Sequence, residues 1–200
     1  MRIAGGTLRG RTVRTPSSEI LRPTQDAVRE AVFSMLAKVL PDATFLDLYA
    51  GTGAVGIEAW SRGAKSIVWI EKNPRVFRLL ESNCEALVPP EVLDGCVLLH
   101  ADAMQWLRHP TIPEKSVDIV FVDPPYVIRE GADDGMNDRL ERLVQSGILA
   151  PHAFVVVEQR AHTPVPSNPA FECVAERRYG HTAISIFRYQ EPSAPSAGNA

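Results

Sequence analysis

Apolar residues recur along this chain in two alternating rhythms. Short continuous runs stand at residues 45–49, 66–70, 97–100, 117–122 and 154–158, each bounded by charged or turn-forming residues. Such runs predict buried strands. Between them, segments 54–62, 74–87, 103–107 and 137–145 carry apolar residues at helical spacing. Upstream, Ala27, Ala31, Phe33, Met35, Leu36 and Leu40 show the same spacing, with Thr24 as N-cap and Pro41 as the stop. Pro89-Pro90 is expected to interrupt the pattern before the third strand. The alternation predicts an α/β fold with a doubly wound, mostly parallel sheet. Two final runs, 172–179 and 182–189, flank Gly180-His181 and predict a C-terminal antiparallel hairpin. In residues 1–15, Ile3, Leu8 and Val13 are separated by glycines, which reads as an N-terminal β-arm.

The 200 residues divide most simply into a basic extension over 1–22, one domain over 23–190 and a low-complexity, flexible tail over 191–200. No apolar run reaches membrane-spanning length, and the first residues lack the apolar core of a secretory signal. Cys84, Cys96 and Cys173 are far apart, which suggests a reducing compartment, the cytoplasm, with no disulfide framework. No His, Cys and acid cluster has metal-ligand spacing, so no metal is expected. Charge is unevenly spread. Residues 1–22 hold five arginines against one acid, Glu19, within a chain of net charge −3. A basic arm on an acidic body suggests contact with a polyanion, although a solvated charged strand would look similar. Arginine rather than lysine favours bidentate phosphate recognition.

The strand at 45–49 runs into Gly51-Thr52-Gly53-Ala54-Val55-Gly56, a literal GxGxxG, and Glu71 lies at the end of the next strand. A strand that turns through glycines into a helix offers close backbone approach and unpaired N–H groups to a ligand. Alone, this is a dinucleotide fingerprint, with Glu71 as the ribose acid. Two features oppose a nicotinamide cofactor. Asp47 places a carboxylate inside the strand that feeds the loop, which suits an ammonium better than a phosphate diester. The chain also has no second substrate domain. S-adenosylmethionine, an adenosine joined to a charged amino acid, would satisfy Asp47, Gly51, Gly53 and Glu71 together. Asp102 could then accept from the adenine amine beside the Ala103 N–H, or simply cap the following helix.

Residues 123–126, Asp-Pro-Pro-Tyr, follow the fourth strand where open α/β sheets place their chemistry. The two prolines stiffen the turn and fix its carbonyls. The Asp123 carboxylate and the Pro124 carbonyl can both accept from an exocyclic amine and turn its lone pair toward a methyl donor, an orientational and electrostatic contribution. Tyr126 offers a face on which an extruded base can stack.

These motifs together resemble a class I, Rossmann-like amino-methyltransferase. RIAGGTLRGR, RPTQDAVREAVFSML, LDLYAGTGAVGIEAWSRGA, IEKNP, DPPY, VVVE and YGHTAISIF resemble, in order, the RsmD family, whose members methylate the N2 amine of a guanine in 16S rRNA. The resemblance implies that Tyr49 and Lys72 join the cofactor contacts, together with Asp123. It implies that Arg22, Thr24 and Arg29 close over the cofactor and shape the target pocket, with Arg22 and Arg29 reaching RNA. Arg29 is also one helical turn from Asp26 and could equally be an ion pair. Arg2, Arg9 and Arg11 would hold rRNA phosphates. The expected substrate is 16S rRNA within a 30S subunit or assembly intermediate, acted on by a monomer. Two other readings remain open: an adenine-N6 DNA methyltransferase sharing DPPY, and a non-catalytic RNA-binding assembly factor. The acidic stretch with Glu130, Asp133 and Asp134 departs from the family pattern and leaves the substrate side unassigned.

Overall fold

The computed structural model describes residues 1–16, 26–125 and 135–191. Thr24, Arg22, Tyr126, most of the acidic stretch and the tail over 192–200 lie outside the described residues. The first helix, α1, spans Asp26–Leu36. Then follow β1 Thr44–Asp47, α2 Ala54–Ser61, β2 Ser66–Glu71, α3 Pro74–Leu87, α4 Pro90–Leu93, β3 Val97–His100, α5 Ala103–Trp106 and β4 Val117–Val122. The chain closes with α6 Met136–Gln145, β5 Leu149–Arg160, β6 Phe171–Tyr179 and β7 Thr182–Tyr189.

The strands form one seven-stranded sheet in the order β3-β2-β1-β4-β5-β7-β6. The first five strands run parallel, while β7 is antiparallel to both β5 and β6. The central parallel strands are nearly wholly apolar because both faces are covered, whereas β3 at the edge is only half-buried. One face packs against α1, α2 and α3 through Phe33, Phe45, Ile57, Trp69 and Leu80. The other packs against α5 and α6 through Trp106, Leu140, Val120 and Val155. The sheet order reverses direction between β1 and β4, and that reversal opens a crevice at the carboxyl ends of these two neighbours.

Several boundaries differ from the sequence pattern. α1 stops at Leu36 rather than Leu40, because the Val39 and Leu40 N–H groups both turn back to the Leu36 carbonyl. The Pro89-Pro90 pair starts the short helix α4 instead of merely breaking the chain, since proline is tolerated where a helix N–H needs no partner. β5 is much longer than 154–158; it begins with an irregular stretch in which His152 has φ 65° and the register to β4 shifts.

The N-terminal segment forms a small hairpin closed by an Arg2–Thr12 bridge. It is no free-standing extension. Ile3 and Val13 are fully buried in the core beneath α1. The Thr7 N–H donates to the Ser61 carbonyl at 2.8 Å, the Leu8 N–H to the Ser61 Oγ at 2.8 Å, and that hydroxyl in turn to the Gly5 carbonyl at 2.7 Å. The hairpin is therefore fastened along α2.

Candidate active site

The site begins where β1 leaves the sheet. Asp47 pairs with Trp69 on one side and Phe121 on the other, so residues 49 and 123 emerge at the same level from adjacent strands. The chain then turns through Gly51 (φ 54°) and Gly53 (φ 83°), both in the left-handed region that favours glycine, and the Gly53 N–H closes the turn on the Ala50 carbonyl. Gly56 serves a different purpose. A Cβ there would lie 2.1 Å from Trp69 Nε1, so glycine is what lets α2 sit this close to β2.

Asp47 is 2% exposed and lies beneath the loop. Its Oδ2 accepts from the Gly56 N–H at 3.1 Å, within the first turn of α2. The N-cap residue of α2, Gly53, has no side chain to cap with, so Asp47 reaches across from β1 to do it. Burial pushes its carboxyl up to about 7, against the lowering effect of the Gly56 hydrogen bond. Glu71 is fixed by two backbone donors, Gly51 N–H at 3.0 Å and Asn73 N–H at 2.6 Å. It thus ties the glycine loop to the end of β2 and keeps further lone pairs for hydroxyl donors.

An open groove continues from Glu71 along the ends of β2 and β3, lined by Lys72, His100, Ala101, Asp102, Gln105 and Trp106. Asp102 caps α5 through the Gln105 N–H at 3.1 Å and also accepts from Lys72 Nζ at 2.8 Å. The Lys72 hydrogen bond holds the Asp102 carboxyl below its ordinary range. Lys72 is mostly exposed, so its first partner is Asp102. Ala103 is buried at the start of α5. On the far side of the loop, Tyr49 is tied to α6: Arg139 Nε donates to its hydroxyl at 3.0 Å, and the guanidinium stands 5.8 Å from the ring centroid. Burial raises the Tyr49 hydroxyl above its ordinary value, with Arg139 opposing the rise. Asp123 and the buried Pro124 follow β4 at this same mouth.

The structure therefore gathers Asp47, Tyr49, Gly51, Gly53, Glu71, Lys72, Asp102, Ala103, Asp123 and Pro124 along one edge. It removes Arg29 from the RNA-facing set. Arg29 is 1% exposed, with its Nε on Glu58 Oε2 at 2.5 Å, Nη2 on Asp26 at 3.1 Å, and a further hydrogen bond to the Arg2 carbonyl. The Asp26 pair is present, but as the rim of a buried cluster. Glu58, fully buried, also takes two hydrogen bonds from Arg62 and one from the Ala4 N–H. Arg2, Arg9 and Arg11 are exposed on the hairpin.

Sequence reasoning missed Glu58, Asn83 and Arg139. Asn83 is 1% exposed; its amide donates to the Arg14 and Thr52 carbonyls at 3.0 and 2.9 Å and accepts from the Arg14 N–H at 3.0 Å. It bridges the hairpin and the glycine loop. The signal was available: Val76, Leu80, Asn83 and Cys84 share one helical face, and a polar residue in such a stripe needs buried partners.

Residues 1–188 match the family model described as conserved hypothetical protein 95. The chain is 38% identical over 189 residues to ribosomal RNA small subunit methyltransferase D of Escherichia coli K12, covering 94% of this chain and 89% of that protein. It is 27% identical over 188 residues to the protein of the same name from Haemophilus influenzae, covering 94% and 93%. A solved structure from E. coli, provisionally designated methyltransferase yhhF, superposes with a TM-score of 0.80 at 32% identity over 96% of this chain and 98% of that one. The chain belongs to the conserved hypothetical protein 95 family, the RsmD family that its motifs resemble.

Proposed function

We propose that this protein transfers a methyl group from S-adenosylmethionine to the exocyclic N2 amine of a guanine in 16S rRNA. The observation that carries this reading is the juxtaposition at the switch point. The glycine loop after β1 and the Asp123-Pro124 turn after β4 leave adjacent strands at one level, so whatever rests on the first faces the second.

The donor set fits this cofactor. Glu71 presents acceptors suited to ribose hydroxyls, the groove from Lys72 to Trp106 presents a mixed apolar and polar wall for an adenine, and Asp47 lies beneath the loop where an amino acid moiety would rest. Gly51 and Gly53 allow close backbone approach, and Tyr49, Ala103 and Thr24 complete the proposed contacts. Bound there, the cofactor supplies an electrophilic methyl on a sulfonium sulfur. The protein's own part is orientation. Asp123 and the Pro124 carbonyl accept hydrogen bonds from the amine's N–H groups, fix the nitrogen lone pair, and stabilise the positive charge that grows on nitrogen as the carbon–sulfur bond breaks; the methylated nitrogen then loses one proton to solvent. Tyr126 stacks the extruded base.

Arg2, Arg9, Arg11 and Arg22 are assigned to rRNA phosphates, and the substrate is a protein-bound form of the rRNA, a 30S subunit or its precursor. The protein acts as a monomer in the cytoplasm. The relatives named for ribosomal RNA small subunit methylation support the substrate class, and the Asp-Pro-Pro-Tyr turn supports an amine as the acceptor.

The test is methyl incorporation into small-subunit particles from a strain lacking the enzyme, with the modified nucleotide mapped. Asp123→Asn should lower kcat by about a hundredfold or more, while S-adenosylhomocysteine still binds. Normal turnover by this variant would refute the assigned role. Incorporation into labelled DNA in preference to rRNA would favour an adenine-N6 enzyme, and cofactor binding without turnover on any particle would favour an assembly factor.

A further inference from the structure

The tip of the C-terminal hairpin has no part in the site described above, yet it stands at the same edge of the sheet. β5 runs parallel to β4, so its end, Arg160, emerges on the carboxyl side beside Asp123. Arg160 pairs with Thr182 of β7, which pairs with Tyr179 of β6, and the Ala161 N–H donates to the His181 carbonyl at 2.9 Å. Strands are about 4.8 Å apart, so β7 and β6 lie roughly 10 and 15 Å from β4. That is within reach of nucleotides flanking a base held at Asp123.

The exposed charge at the tip is basic, bounded by the buried Glu158 and by Glu176. Residues 159–163 and 177–182 contain Arg160, Arg177, Arg178, His162 and His181 and no acid, in a chain whose net charge is −3. All five of these side chains are exposed. Register assigns them to faces, because paired residues point the same way and neighbours along a strand alternate. Arg160, Tyr179 and Arg177 share one face with Ile184 and with the buried Glu158. That is the face covered by α1 and the N-terminal hairpin, and Tyr179 packs partly against this core. Arg178 points to the other face and is engaged by Glu176 at 3.0 Å.

One alternative is that these arginines only guard the sheet's edge against pairing with another chain. β6 is indeed an edge strand, and that account suffices for Arg178. β5 stays paired with β7 as far as Arg160 but with β4 only as far as Val157, so edge protection and RNA contact are separated by the salt dependence of particle binding.

We propose that Arg160 and Arg177, flanking Tyr179 at the hairpin tip, form a second contact for the RNA backbone, on the opposite side of the Asp123 mouth from the glycine loop. The proposal rests on the rRNA-methyltransferase reading and gives the Gly180-His181-Thr182 turn a role. RNA would be gripped at two places, by the N-terminal arginines and by this tip, with the target nucleotide between them.

The test uses small-subunit particles from a strain lacking the enzyme. Particle binding is measured without cofactor, and methyl transfer with S-adenosylmethionine, each at several salt concentrations. For Arg160→Gln/Arg177→Gln, Kd and KM for the particle should rise about tenfold, and the slope of log affinity against log salt should fall by roughly 1 to 2. The loss should sit in KM, S-adenosylhomocysteine affinity should stay at the wild-type value, and Arg160→Lys/Arg177→Lys should recover most of it. Arg108→Gln, which removes an exposed charge beside α5, should behave as wild type. An unchanged affinity and salt slope in the double glutamine variant would overturn the proposal, and so would an equal loss in Arg108→Gln. A wild-type protein that neither binds nor methylates any RNA would instead remove the reading beneath it.

Discussion

At the scale of single residues, Asp47 is the most consequential side chain outside the Asp123 turn. It caps α2 from a neighbouring strand, and the cost is a buried carboxylate with a pKa of about 7 against 3.8 in the unfolded chain. The folded state therefore holds a proton that the unfolded state has lost between about pH 4 and pH 7. Stability falls as pH rises across that window and is level on either side. Asp47→Asn keeps an acceptor for the Gly56 N–H and removes the proton. At pH 8 it should unfold later in urea than the wild type, by about 2–4 kcal/mol, with the gain vanishing near pH 4. An unchanged difference at the two pH values would mean that Asp47 is not protonated in the folded protein. Cofactor binding should respond in the opposite sense. An ammonium near Asp47 favours the carboxylate, so wild-type affinity should tighten as pH rises toward 7, and the Asn variant should show a weaker, flatter profile by calorimetry.

At the scale of elements, the alternating strands and helices were legible because each apolar run has one period and clear punctuation. The strands at 97–100, 117–122 and 182–189 and the helix at 74–87 have the boundaries the pattern predicts. The glycine loop was legible for the same reason: only glycine fits its two left-handed positions. What the pattern concealed was polar burial. Glu58 lies in an apolar helix and Arg29 in a motif that suggests RNA, and one chain cannot show that the two meet 29 residues apart. Glu58→Ala would leave Arg29 buried without that partner, and should cost about 3–5 kcal/mol in chemical denaturation. Replacing both by apolar residues, Arg29→Met/Glu58→Leu, should recover most of the loss. Failure of the double variant to recover would show that Arg62 and the Ala4 N–H, rather than Arg29, define the cluster. Gly56→Ala tests the packing of α2 on β2. The added methyl meets the Trp69 indole, and the variant should lose about 1–3 kcal/mol together with cofactor affinity.

For the whole molecule, the N-terminal hairpin is both a surface and a structural part. Its arginines face outward while Ile3 and Val13 fill the core and Asn83 ties Arg14 to the glycine loop. Deleting residues 1–16 should therefore lower the melting temperature and weaken S-adenosylhomocysteine binding, as well as RNA binding. A truncated protein of full stability and cofactor affinity would restore the picture of a detachable extension. Charge counting along the sequence marks the segment as basic, but counting says nothing of what the intervening apolar residues do once α2 and α3 are in place.

The same hairpin has a consequence for how the protein is made. Its partners Glu58, Ser61 and Asn83 lie 53 to 69 residues further along the chain. At about 5–20 residues per second, the hairpin waits on the order of 3 to 14 seconds for the residues that hold it. During that interval a basic strand with two unburied anchors, Ile3 and Val13, stays open, and the arrival of α2 and then α3 draws it into the fold.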